Sequence, residues 1–127
     1  MTRVQADVLP AIKDWLDSRI TTADVRLNVP EKWTTADGAI LVIADDGGPV
    51  MWPTMSRHTV RLTAYAAGRT QARSIVALAG GLLGNGRPAG VHSVDTDMGG
   101  IIDARDTNTG AVLASALITV TSRTIEV

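Results

Sequence analysis

RHTVRLTAY (57–65) alternates without a break, with His58, Val60, Leu62 and Ala64 on one face and Arg57, Thr59, Arg61, Thr63 and Tyr65 on the other. Such a strand suits a sheet that is dry on one side and polar on the other, because side chains repeat every second residue. The closing stretch AVLASALITVTSRTIEV (111–127) is long and β-branched and reads as a second extended strand, with room for one bulge. AILVIA (39–44), bounded by turn residues, reads as a buried strand, and VRLNVP (25–30) as a short one that Pro30 stops.

Helical periodicity occurs twice. Val4, Val8, Ile12, Trp15 and Leu16 repeat at three and four residues, which predicts an amphipathic helix over about residues 3–20. Pro10 lies inside it, so the helix kinks there or starts late, with Asp7 as cap. After Gly68, Thr70 can cap a second helix through about Leu83, whose apolar face is Ile75, Leu78, Ala79, Leu82 and Leu83. Gly80 and Gly81 in that helix suit close packing on a sheet. EKWTTADG (31–38), DDGGP (45–49), GNGRPAG (84–90) and DTNTG (106–110) read as connections and turns. The expected fold is α+β: a mainly antiparallel sheet with an N-terminal helix and a middle helix packed on it, as a single domain over residues 1–127.

At 127 residues, with 45% hydrophobic side chains, the chain can bury a core of its own. It has no Phe, so Val, Ile, Leu and Ala must do most of the packing. It also has no Cys, which removes disulfides and thiolate chemistry. No apolar run reaches the roughly 18 residues that span a bilayer, and Asp7, Asp14 and Asp17 do not suit a signal peptide.

The net charge of −1 conceals a segregation: residues 1–36, 37–56, 57–94 and 95–127 carry 0, −3, +5 and −3. Arg57 and Arg61 share one strand face, and Arg69 and Arg73 one side of a helix, with no acid between residues 57 and 94. Their neutralisation can come from acidic blocks of the same chain, from those of a neighbouring copy, or from phosphate. Scarce aromatics and a pI near 6.0 weigh against nucleic acid. PVMWPTM (49–55) places Met51, Trp52 and Met55 beside two prolines, as core filler or as an exposed interface patch.

DTDMGGIIDARD (95–106) sets Asp95, Asp97, Gly100, Ile102, Asp103 and Asp106 nearly at the spacing of an EF-hand calcium loop. Gly99 occupies a ligand position and neither flank reads as a helix. The expected structure is instead a glycine bend feeding a hairpin, IIDAR–DTNTG–AVLAS. His58 has no carboxylate in register along its own strand and is expected as a core or interface histidine. Ser56 beside it does not make a triad, and no glycine-elbow motif is present. His92 falls in an acidic stretch and is expected to be solvated. GGLLGNG (80–86) lacks the ending of a phosphate loop. No catalytic constellation, metal set or cofactor motif is identified, and the expectation is a protein that is not an enzyme.

The segments ADDGGPVMWP, TVRLTAYAAGRTQAR and IIDARDTNTGAVLASALITVTSRT together resemble the small tail terminator proteins of long, non-contractile-tailed (siphovirus-type) phages of actinobacteria. The order of elements is similar to that of the phage lambda tail terminator family. The resemblance implies a structural virion protein, assembled in the host cytoplasm, at the head–tail junction. Six copies would close into a ring that caps the tail tube, stops its polymerisation and joins the tail to the head connector. DNA would pass through the lumen unread, and no membrane would be involved. A ring contact sets one patch against a different one. The arginines from Arg57 to Arg73 would then meet Asp45 and Asp46, or the acids from Asp95 to Asp106, of the next copy. A head–tail connector or head-closure ring protein is the alternative within this class, and a small calcium-binding module the alternative outside it.

Overall fold

The computed structural model describes residues 2–95 and 99–127. In chain order the elements are β1 (Arg3–Val4), α1 (Leu9–Asp17), β2 (Asp24–Arg26), β3 (Ile40–Asp45), β4 (Val50–Met51), β5 (Met55–Ala66), α2 (Arg69–Gly84), β6 (Ser93–Val94), β7 (Ile102–Arg105), β8 (Val112–Arg123) and β9 (Ile125–Glu126). The main sheet runs β2-β3-β5-β8-β6, with β4 also on β5 and β7 also on β8. Only β2–β3 is parallel among these pairs. The expected α+β architecture is what the chain adopts.

β5 and β8 form the backbone of the sheet, twelve residues each in unbroken antiparallel register from Met55↔Arg123 to Ala66↔Val112. The alternation of β5 is realised: His58, Val60, Leu62 and Ala64 are buried. Leu41, Ile43, Ile118 and Val120 share that face, and both helices cover it. α1 lies over β2 and β3, and α2 over β5 and β8. Ile12 and Leu16 of α1, with Ala72, Ile75, Val76, Ala79 and Leu83 of α2, close the core. Each large aliphatic side chain buried there contributes about 1.5–3 kcal/mol relative to exposure.

The opposite sheet face is covered at one end, where the connection before β3 folds back. Trp33 packs edge-on against Tyr65 at 5.9 Å between ring centroids, joined by Ile40 and Ala111. Trp33 Nε1–H donates to Gly38 O at 3.1 Å. A segment that reads as a plain connection thus supplies a second small core.

Four local expectations are corrected. Of the two readings open for the first helix the late start is adopted, with Pro10 in its first turn, so residues 3–4 are not helical but a strand paired with β9. The backbone N–H of Leu9 reaches Asp7 Oδ1 at 3.2 Å, but the N-cap position is Val8. Gly68, not Thr70, caps the second helix. In that helix Gly80 is buried, whereas Gly81 faces open space and Leu78 is exposed.

The fourth concerns DDGGP and the Pro53 segment. Residues 46–49 do not leave the sheet: Asp46 N donates to Thr59 O, Thr59 N to Gly47 O, and Arg57 N to Pro49 O, each at 2.8–2.9 Å. The register moves from Asp45↔Val60 to Val50↔Ser56, so one extra residue lies on the β3–β4 side. That is a β-bulge, with Gly47 at φ 83. The closing strand, expected over 111–127, is continuous as β8 to Arg123, breaks at Thr124 and resumes as β9 in a separate two-stranded sheet with β1. β4 and β5 are joined by a tight turn through a cis Trp52–Pro53 peptide.

Candidate interaction surface

Four of the five arginines of the block, Arg57, Arg61, Arg69 and Arg73, are neutralised within the chain. Arg57 lies 2.9 Å from Asp95, and Arg61 3.4 Å from Asp46. Arg69 Nε and Arg73 Nη1 reach the two oxygens of Asp103 at 2.7 and 2.9 Å, clamping β7 to the start of α2. The two guanidiniums hold the Asp103 carboxyl below its ordinary range, Arg73 being the larger influence. Arg69 and Arg73, which would repel along a bare helix, instead share one counter-ion. Exposed pairs of this kind, screened by solvent, add little to stability one by one. Of the three sources open to the sequence, the same chain supplies the carboxylates, and they are the acids assigned there to a neighbouring copy. Asp97 lies outside the described residues.

The EF-hand spacing dissolves into the expected hairpin. Asp95 and Asp103 hold arginines, and Asp106 shapes the turn. Its carboxylate accepts Thr109 Oγ1–H at 2.7 Å and Asn108 N–H at 3.1 Å, and these bonds keep its pKa below the ordinary carboxylate range. β6 precedes this stretch and β8 follows it, so its flanks are strands. Among the described residues no group of three or more His, Cys, Asp and Glu side chains could hold a metal ion.

His58 is the core histidine expected, yet its partners were not foreseen. Nδ1 lies 2.7 Å from Asp45 Oδ2, and Nε2 lies 2.8 Å from Ser56 Oγ and 3.2 Å from Ser122 Oγ. With Nδ1–H assigned as donor to the carboxylate, Nε2 accepts the Ser56 hydroxyl. Serine, histidine and aspartate in that order are the parts of a nucleophile relay. Here, however, His58 is 1% exposed and Ser56 and Ser122 are fully buried. No groove described below reaches them, so the trio closes the polar end of the helix-covered face. Strand parity carried the missed signal. Asp45 shares the inward parity of Leu41 and Ile43, and the β3–β5 hairpin sets it at the same end as His58.

PVMWPTM proves to be an exposed tip. Met51 is 49% and Trp52 59% exposed, while Met55 is half-buried. The turn is held from below. Thr54 N–H donates to Met51 O at 2.9 Å, Thr124 N–H to Thr54 O at 2.9 Å, and Thr124 Oγ1–H to Pro53 O. Arg3 in turn donates to Thr124 Oγ1 at 2.8 Å and to its carbonyl. A large aromatic presented on a pinned turn loses little freedom when it is covered.

Of the sequence-assigned interface residues, the structure thus gathers Met51, Trp52 and Met55 at one tip. It pairs Asp45, Asp46, Arg57, Arg61, Arg69, Arg73 and Asp95 internally, Asp103 completing the set. Among the described residues no helix is long and apolar enough to cross a membrane. No protein-family model matches this chain, and no curated protein matches it either.

Proposed function

We propose that this chain is a structural virion protein, a tail terminator that assembles into a homohexameric ring on the end of a siphovirus-type tail tube. The ring stops tube polymerisation and offers its far face to the head connector, and DNA crosses its lumen unread. The observation that carries this reading is the pinned, exposed Met51–Trp52 turn, which has the composition of an interface core. The closed Ser56–His58–Asp45 trio supports it too, because the constellation nearest to an active site has no access for a substrate. Since the arginines from Arg57 to Arg73 are engaged within the chain, the ring contact rests on the tip and not on their exchange between copies.

The test is the mass of the purified protein by light scattering, and its effect on polymerising tube protein. A particle of about 80 kDa, six times the 13.3 kDa chain, that halts tube growth is the expected result. Tubes that lengthen unchanged in its presence would refute a terminator. Arrest of growth without a ring would move the reading to another tail-end protein.

A further inference from the structure

We infer that a continuous strip from the Pro53–Arg123 groove to the α1–α2 groove docks a partner protein that presents carboxylates around an apolar centre. Of its cations only Arg87 belongs to the charge block seen in the sequence. Arg19, Arg87 and Arg123 have no carboxylate within 4.0 Å among the described residues, unlike Arg57, Arg61, Arg69 and Arg73. Arg19 and Arg87 bond only backbone carbonyls and a serine hydroxyl.

These arginines are joined by grooves that share them. Arg123 borders one groove floored by Pro53 and Met55, and a second floored by Val91 and Ile125. Arg87 borders that second groove and a third, floored by Trp15, Leu78 and Leu82 and flanked by Arg19. Among the described residues no Asp or Glu lines any of the three. The strip exposes Leu78 at one end and Ile125 midway. Apolar floors with Trp, Met and Arg are the composition of a protein interface, and unpaired cations at the edges select a partner rich in carboxylates.

Two other occupants fit less well. Nucleic acid binds where aromatic faces are free to stack, but the Trp15 ring is already covered by Arg19 at 4.1 Å. In a second copy of this chain most described carboxylates are already engaged, Asp7, Asp17, Asp37 and Asp106 by backbone N–H groups of their own chain. Asp14, Asp24, Asp45, Asp46, Asp95, Asp103 and Glu126 all lie within 4.0 Å of a cationic or histidine nitrogen of their own chain.

This inference is independent of the ring: ring formation is read from the protein alone, docking from an added probe. The probes are a fluorescent peptide of Glu and Asp interspersed with Leu, and a fluorescent DNA duplex, each titrated by anisotropy at equal salt. The peptide is expected to bind, and Arg87→Glu with Arg123→Glu to weaken it by about tenfold or more, whereas Arg105→Glu on β7 changes it less than about twofold. Should the double variant not fold, Leu78→Glu on the exposed side of α2 interrupts the same strip and is expected to weaken the peptide likewise. The proposal is overturned if the peptide does not bind, if these variants leave its affinity unchanged, or if the duplex binds more tightly than the peptide through Arg87 and Arg123.

Discussion

Asp45 and His58 stand 13 residues apart in the chain and 2.7 Å apart in the fold. The pair ties the last residue of β3 to the inward face of β5, next to the bulge that carries the chain on toward the tip. His58→Ala should therefore remove more than a side chain, since it leaves the Asp45 carboxylate with only the Gly47 N–H and the two buried hydroxyls with only each other, at 3.2 Å. A loss of about 2–4 kcal/mol is expected in denaturant unfolding, against about 1 kcal/mol for Ser122→Ala, whose neighbours keep each other. Equal small losses for the two variants would mean that the trio does not act as one network.

The Asp103 clamp predicts a pH dependence. Its carboxyl titrates below the ordinary 3.8 when folded, so its stabilisation is complete above that value and disappears as pH falls through the lower folded value. In thermal melts the wild type should be more stable than Asp103→Asn at neutral pH, and the gap should shrink as the pH is lowered below 3.8. A gap that stays constant would show that the carboxylate charge is not what holds β7 to α2.

Gly48 and Gly81 should respond oppositely to alanine. A Cβ on Gly48 would sit 2.5 Å from Arg57 O and 3.0 Å from its carbonyl carbon, and backbone in a ladder cannot yield cheaply. Gly48→Ala is expected to cost about 1–3 kcal/mol. At Gly81 a Cβ meets nothing within 4 Å, so Gly81→Ala should gain up to about 1 kcal/mol of helix stability. Paired chemical denaturation curves check both signs.

Trp52→Ser separates folding from assembly. The indole is mostly in solvent, so unfolding should shift by less than about 0.5 kcal/mol. The light-scattering mass should nevertheless fall to that of the monomer. A ring that survives the substitution would place the subunit contact elsewhere.

What could be read in the sequence followed from local period. β5, β8 and β3 were legible because alternation or a bounded apolar run determines which residues face the helices, and α2 because its apolar positions recur every three or four residues. Residues 3–4 misled because Val4 stands four before Val8, a helical spacing, while its real partner, Ile125, lies at the other end of the chain. The DTNTG turn was legible for the same local reason that Asp106 serves it. Which carboxylate meets which arginine was not, since Asp46, Asp95 and Asp103 find their partners only once β3, β7 and α2 are placed. The tip was seen as unusual, but its exposure depends on the bulge and on Thr124 beneath it, and neither is encoded within PVMWPTM.

The β1–β9 ladder has a mechanical consequence. Arg3 faces Glu126 and Val4 faces Ile125 in antiparallel register, with Val127 N–H bonded to Thr2 O outside them. A force pulling residues 2 and 127 apart acts across these strands, so their bonds open one after another like a zip instead of sharing the load. The ladder is thus a soft release, and tension would free Arg3 from Thr124, loosening the support beneath Pro53, before it reached the long β5–β8 ladder.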